Sequence, residues 1–323
     1  MQPEALVTIG VPNYNYAHFI IETLNSVISQ TYKNIELIIV DDLSKDNSVA
    51  VIENWISEYN GTISIRFIKN TTNAGLTKVC NQILKNARGK YFQTLDADDL
   101  ILPDKITLQV SALELSGNSA IVYSNVNIIN EGGSVIVDDY LGRIGYDKYA
   151  MPQGNIFERL FNFNFIPLPS TLVNTEYARN AGGFNEALQV QDYYLWLKLS
   201  QNHHVIYLPQ ITASYREHPG SMSNSSFTNP KSTDSVLEIK YAYFKHTTKS
   251  IKASIRKSIY FSSAYLYRSG YPTAKKWLRR NLFLNPGIRS IVYFIASALG
   301  LACSSMDKIK VNFRSVLGFT KSK

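Results

Sequence analysis

Four short apolar runs in the first hundred residues alternate with stretches of helical period, and that alternation leaves few folds open. Residues 6–12 (LVTIGVP), 35–40 (IELIIV), 63–68 and 91–95 have the length and content of strands. Between them, residues 17–30 place Phe19, Ile20, Leu24, Val27 and Ile28 at helical spacing. Asp46 and Ser48 are candidate caps for a second helix running to Trp55-Ile56, and a third, opened by Asn73-Ala74-Gly75, runs toward Ala87. Strands and helices in this order build a parallel sheet with helices on both faces, so the expected class is α/β. Ligands of such sheets sit beyond the carboxyl ends of the strands.

Two of these strand ends are acidic. Asp41-Asp42 follow the run at 35–40, and Asp96, Asp98 and Asp99 follow the run at 91–95. Gathered negative charge is costly to bury unless something cancels it. Carboxylate oxygens suit Mg²⁺ or Mn²⁺, so the pattern points to a metal–nucleotide site.

Beyond residue 103 the pattern predicts helices over 105–115 and 192–200 and strands over 120–123 and 204–208. Residues 130–151 read as a hairpin or mobile loop, and the Ser-, Asn- and Pro-rich stretch 219–233 reads as a linker or lid. From 235 onward the reading is helical, with a helix hairpin at Gly270-Tyr271-Pro272. The expected organisation is a catalytic domain over 1–228 and a basic helical region over 229–323.

Charge divides the chain near the same place. Residues 1–230 hold 15 Lys+Arg against 22 Asp+Glu, whereas residues 231–323 hold 18 against 3, for a total of +8. A basic region of this kind is drawn to a polyanion or to an anionic membrane surface. The apolar run 291–302 is shorter than the roughly 18 residues a spanning helix needs. With Lys275, Lys276, Arg279, Arg280, Lys308, Lys310 and Arg314 nearby, it fits a helix lying in a membrane interface, or a buried helix whose cations are merely solvated. No nucleic-acid-binding motif accompanies the charge, so no nucleic-acid partner is expected. Cys80 and Cys303 lie far apart and give neither a disulfide framework nor a zinc spacing. The first residues do not read as a signal peptide. The expected location is cytoplasmic, peripheral on the inner face of the membrane.

Taken in order, VTIGVPNYN, SVISQTYKNIELIIVDDLSKDNS, NAGLTKVCN, GKYFQTLDADD, AGGFNE, QDYYLWLKLS and YREHPGSMS resemble the family 2 inverting glycosyltransferases, over roughly residues 5–225. The resemblance implies a GT-A fold, Rossmann-like with a mostly parallel sheet flanked by helices. It also implies a nucleotide-sugar donor, UDP-linked, and Mn²⁺ or Mg²⁺ as cofactor. Pro12 and Tyr14 would lie at the nucleotide, with Tyr14 stacking on the base or packing in the turn. Asp42 would accept the N3–H of a uracil and Asp41 would hold the turn or cap a helix. The family commonly has Arg where this chain has Cys80, and Lys78 would supply the missing cation or stay solvated. Asp96 would reach the ribose or sugar, with Ala97 beside it, and Asp98 would take the metal together with His218. Asp99 would add a second contact, and Arg216 would hold a phosphate.

On the acceptor side, Asp192 would be the base that an inverting transfer requires, or an N-cap, or both. Gln191 stands where the family usually has Glu. Trp196 would wall the acceptor or fill the core, and Gly182-Gly183 would permit close backbone approach near the acceptor. His203 and His204 lack such context and read as structural. The expected function is transfer of a hexosyl or N-acetylhexosaminyl group from a nucleotide sugar to a hydroxyl of a glycan or lipid-linked acceptor, in surface polysaccharide synthesis. Gln191 and Cys80 leave open a non-catalytic protein of the same fold that binds nucleotide or glycan. A nucleotidyltransferase would need a Gly-rich Lys/Arg phosphate loop, and none is visible.

Overall fold

The computed structural model describes residues 4–221 and 229–301 of the chain. They belong to two compact units, Met1–Asn224 and Ser225–Lys323. The expectations for Ala302, Cys303, Lys308, Lys310 and Arg314, and for the middle of the 219–233 stretch, fall outside the described residues.

In the first unit the alternation is present. It runs β1 (Val7–Asn13), α1 (Ile20–Ile28), β2 (Ile35–Asp41), α2 (Ser48–Glu58), β3 (Ser64–Lys69), α3 (Leu76–Asn86) and β4 (Tyr91–Thr94). These strands pair in the order β3-β2-β1-β4, all parallel. Strands β1, β2 and β4 are buried along their whole length, which is why they read as unbroken apolar runs. Helix α1 turns Ile20, Thr23, Leu24 and Val27 inward, each apolar member stabilising by about 1.5–3 kcal/mol. Helix α3 lies so close to β1 that a Cβ on Gly10 would stand 2.1 Å from Ile83 Cγ2, so only glycine fits there.

The second half of this unit is mixed. It contains β5 (Leu100–Ile101), α4 (Lys105–Ser116), β6 (Ser119–Ile129), β7 (Val135–Val137), α5 (Tyr140–Arg143), α6 (Phe157–Asn162), β8 (Leu172–Asn174), α7 (Thr175–Asn180), α8 (Gln191–Asn202) and β9 (His204–Arg216). The sheet order is β3-β2-β1-β4-β8-β6-β9-β5, with β7 on β6. Strand β8 is antiparallel to both β4 and β6, β9 is parallel to β6, and β5 is antiparallel to β9. The parallel character therefore belongs to the β3–β4 half and to the β6–β9 pair.

Strands β6 and β9 run for 11 and 13 residues, well past the apolar runs that announced them. Polar residues continue β6 because they find partners. Asn125 donates to Asp139 Oδ1 at 2.6 Å and accepts from the backbone of Val126 and Leu141, and the hydroxyls of Ser124 and Thr212 bond across to β9 at 2.5 Å. The length of β9 matters for function, because it carries the chain back to the end of β4.

The second unit is helical: α9 (Pro230–Ala242), α10 (Lys249–Arg268), α11 (Ala274–Leu284) and α12 (Ile288–Ala298). Gly270, at φ +64°, turns α10 into α11. Asp234 on α9 accepts from both Thr273 Oγ1 and Trp277 Nε1 at 2.6 Å, which ties α9 to α11. Among the described residues no helix is long and apolar enough to cross a membrane.

Candidate active site

The site is built where β4 ends. Leu95 still donates to Gly10 O on β1, and the chain then turns sharply, with Asp99 N donating to Asp96 O at 3.1 Å. Thr23 of α1 pins the turn by donating to Asp99 O at 2.9 Å. This brings Asp96, Asp98 and Asp99 together, with one ligand atom of each within 4.8 Å of the others. Asp98 and Asp99 are buried. Asp99 Oδ1 accepts from Arg216 N at 2.8 Å, but Asp99 Oδ2 is buried with no hydrogen-bond partner among the described residues.

The electrostatics show a cluster short of positive charge. Burial, reinforced by the charges of Asp98 and Asp192, pushes Asp96 up to about 7. Burial raises Asp98 as well, opposed by its hydrogen bond to His218, and burial with the neighbouring carboxylates raises Asp99 well above the usual range. An orphaned carboxylate oxygen and three clustered carboxyls fit a divalent cation of the Mn²⁺ or Mg²⁺ kind.

His218 reaches the cluster because β9 returns alongside β5 and ends at Arg216, two residues earlier. Its Nε2 lies 3.0 Å from Asp98 Oδ2. Gly220 N donates to Nδ1 at 3.2 Å, which places the proton of the neutral ring on Nε2, facing Asp98. The ring packs on Phe19 at 4.8 Å and on Tyr16 at 6.0 Å.

Arg216 does not fit the role of phosphate holder. Its side chain is 0% exposed. Nε donates to Asp98 O at 2.8 Å, Nη1 to the carbonyls of Asn130 and Glu131, and Nη2 to Glu22 Oε2 at 2.6 Å. Its guanidinium also stands 5.0 Å from the centre of the Phe19 ring. The sequence shows an arginine beside a histidine. The fold shows that the arginine faces inward and clamps the acidic turn from behind.

Asp192, on α8, acts on the cluster through its charge. Val190 caps that helix, so Asp192 lies inside its first turn and is not the N-cap. Burial raises its carboxyl, while the backbone N–H of Tyr193 and the side chain of Asn164 support the charged form. Its charge acts on Asp96, and both charges act on Cys80, so residues almost a hundred positions apart lie in one electrostatic field. Cys80 is buried, and desolvation followed by those charges pushes its thiol well up, which makes it a packing residue and not a nucleophile.

Trp196 is a core residue. It is 2% exposed on a helix that also buries Tyr193, Leu195, Leu197 and Leu199, so it has no surface to offer an acceptor. Four positions after Asp192 it shares that residue's side of the helix, but there the helix turns inward. Gln191 is likewise buried. Gly183, at φ +66°, serves Asn81: a Cβ there would stand 2.7 Å from Asn81 Oδ1. Asn81 exchanges two hydrogen bonds with the Phe184 backbone and so pins α3 to that loop.

The other acidic strand end is arranged differently. Asp41 accepts from Ser44 N, Ser44 Oγ and Asn13 Nδ2, and so holds its turn. Asp42 accepts from Asn70 Nδ2, Ala74 N and Gly75 N, and so folds the loop that opens α3. It is buried, with 3% of its surface exposed. Pro12 lies buried within β1 opposite Val40, and Ala97 turns its methyl into the core, so neither side chain faces a ligand. Tyr14, 39% exposed, and Lys78, exposed in the first turn of α3, are open to one. His203 stacks on Tyr177 at 3.9 Å, away from the cluster's residues.

Tyr16 was not expected. Burial and the charges of Asp98, Asp96 and Asp99 hold the proton on its hydroxyl, which places this phenol in the field of the cluster. The only signal was the second tyrosine of Asn13-Tyr14-Asn15-Tyr16.

The comparisons with known proteins give the family and the fold. The model of the glycosyl transferase family 2 matches residues 8–173. The Escherichia coli protein UDP-Glc:alpha-D-GlcNAc-diphosphoundecaprenol beta-1,3-glucosyltransferase WfgD is 30% identical over 234 residues, which span 72% of this chain and 85% of that protein. An uncharacterized glycosyltransferase of Rickettsia felis is 34% identical over 203 residues, or 60% of this chain. The match spans only 31% of the length of that relative and of its Rickettsia conorii counterpart. Staphylococcus aureus TarS in complex with UDP-GlcNAc shares the fold, with a TM-score of 0.61 and 17% identity over 90% of this chain and 78% of that one. The Pyrobaculum calidifontis mannosyltransferase PcManGT, solved with GDP-Man and Mn²⁺, gives 0.57 and 16% over 92% and 81%. The fold is therefore GT-A, and the chain belongs to glycosyl transferase family 2.

Proposed function

We propose that the protein is a metal-dependent, inverting glycosyltransferase that moves a sugar from a nucleotide-diphosphate donor, UDP-linked, to a hydroxyl of a glycan or lipid-linked acceptor in surface polysaccharide synthesis. The observation that carries this reading is the under-compensated carboxyl cluster of Asp96, Asp98 and Asp99, with Asp192 in the same field. Asp98 and Asp99 are the residues that would hold a divalent cation, while His218, whose Nε2 donates to Asp98, is suited to holding that carboxylate in place and not to the ligand role expected of it. Such an ion, when bound, neutralises the donor diphosphate and the charge of the leaving group. Asp192 takes the acceptor hydroxyl proton during in-line attack at the anomeric carbon, and its raised pKa suits a base. Asp96 lies between the two and is suited to a sugar or ribose hydroxyl, and Tyr14 is suited to the base. Arg216 positions Asp98 and Asp99 and does not touch the donor. The UDP preference and the lipid-linked acceptor rest on the printed name of WfgD.

The test is turnover over a panel of nucleotide sugars with Mn²⁺ and with EDTA, reading the anomeric configuration of the product. Transfer with inversion that EDTA abolishes supports the reading. Transfer that persists in EDTA, or donor binding with no turnover of any sugar, contradicts it.

A further inference from the structure

Among the described residues, helix α12 leaves one face without a partner. Its inner face, with Ser290, Tyr293 and Ala296, packs on Ala264 of α10 and Leu278 of α11. Its outer face carries Ile288, Ile291, Ile295 and, at the C-cap, Leu299, exposed at 71, 45, 50 and 68%. At 3.6 residues per turn these four fall within about 80° of arc and form one apolar stripe. Phe283, at the end of α11, is also exposed. A single exposed Ile or Leu is ordinary, but a continuous stripe marks a surface that meets something.

The three helices around the stripe are basic, and the carboxylates of the neighbouring α9 are engaged, Asp234 by Thr273 and Trp277 and Glu238 by Lys276 and Arg280. Between residues 249 and 301 the chain has ten Lys+Arg and no Asp or Glu. Arg289, next to Ile288, stands 4.7 Å from the Tyr260 ring centre and 5.8 Å from that of Tyr293. Lys257, Lys275 and Arg279 are exposed. A second copy of this face would bring like charge against like charge. A nucleic acid would leave the isoleucines in water. The interface of an anionic bilayer satisfies both features: apolar side chains enter the acyl boundary while the cations lie among the headgroups. An 11-residue helix is too short to span but long enough to lie flat.

We propose that the outer face of α12, with the cations around it, is a docking surface for an anionic lipid bilayer. The docking stands on α12 itself. That it brings the chain to a lipid-linked acceptor rests on the proposed transferase reading.

The test uses the full chain without donor or metal, sedimented with phosphatidylcholine vesicles and with vesicles that also contain phosphatidylglycerol. The anionic vesicles are expected to bind at least about fivefold more protein, and binding is expected to fall away in about 1 M salt, where the screening length is about 3 Å. Ile291→Ser/Ile295→Ser is expected to weaken binding about tenfold with an unchanged helical circular dichroism spectrum. Should that variant unfold, Ile288→Ser/Leu299→Ser, at the helix ends, replaces it. Lys275→Gln/Arg279→Gln is expected to weaken binding a few-fold. Equal binding to neutral and anionic vesicles overturns the proposal. So does undiminished binding by the isoleucine variants. A stable dimer by light scattering that the isoleucine variants dissociate, without vesicle binding, overturns it in favour of a second copy. Binding to DNA in place of vesicles also overturns it. Transfer to a soluble acceptor is unaffected by these variants, so failure to dock and failure of the transferase reading are separately visible.

Discussion

The two acidic strand ends look alike in the sequence and behave in opposite ways in the fold. At the end of β2, every oxygen of the Asp41 and Asp42 carboxylates accepts from the protein: from Ser44, Asn13, Asn70, Ala74 and Gly75. At the end of β4, Asp96, Asp98 and Asp99 face one another, one oxygen of Asp99 is orphaned, and all three carboxyls are raised by burial. A carboxylate that the protein satisfies by itself shapes a loop. A carboxylate left under-compensated is held ready for something the protein does not supply. Arg216 joins the two behaviours, since it clamps the β4 turn through Asp98 O and Asp99 Oδ1 and leaves Asp99 Oδ2 without a hydrogen bond among the described residues.

The contrast is sharpest in activity. Asp98→Asn is expected to lower transfer by about a thousandfold or more, roughly 4 kcal/mol of barrier, while raising the melting temperature of the metal-free protein by relieving like-charge crowding. Steady-state kinetics and calorimetry read the two effects. Asp192→Asn is expected to lower kcat by about 10²–10⁴-fold and to leave nucleotide affinity unchanged, because a base acts in the transition state and not in donor binding. Equal loss of affinity would move Asp192 to the donor side. Arg216→Met is expected to cost about 3 kcal/mol in urea unfolding, since buried carbonyls lose their donors. Asp42→Asn is expected to cost about 2 kcal/mol with transfer still measurable. If it abolished transfer without loss of stability, the two strand ends would not differ as described.

The smallest effect is in pH dependence. Asp96 goes from 3.8 in the unfolded chain to about 7 in the fold, so the native state binds more protons in that window. Metal-free stability should therefore fall as pH rises toward 7, with Asp98, Asp99 and Asp192 acting in the same direction. Below about pH 5 the lowered carboxyls Glu36, Asp46 and Asp139 act oppositely, because their stabilisation is lost as pH falls. Melting temperatures between about pH 5 and 7, with and without Mn²⁺, read the slope, and the cation should flatten it.

The β3–β4 half was legible because its strands are buried on both faces and its helices carry clear apolar stripes. The rest was not. Strand β8 is three residues long, and the outer halves of β6 and β9 read as polar until Asn125 and Thr212 are seen with their partners. The acidic cluster was legible from charge spacing alone. The inward turn of Arg216 and of Trp196 was not, because a sequence gives their spacing but not which side the core lies on. Tyr16 differs from Tyr14 only in standing two residues later, which is enough to move it into the field of the carboxylates.

The central claim is that the end of β4, and not the end of β2, awaits a cation. The direct measurement is the stability of the parent, Asp98→Asn and Asp42→Asn with Mn²⁺ and a nucleoside diphosphate. At a hundredfold excess over Kd, the parent and Asp42→Asn should each gain about 2.7 kcal/mol, and Asp98→Asn should gain none. A gain in Asp98→Asn equal to that of the parent, or no gain in the parent, would contradict the account.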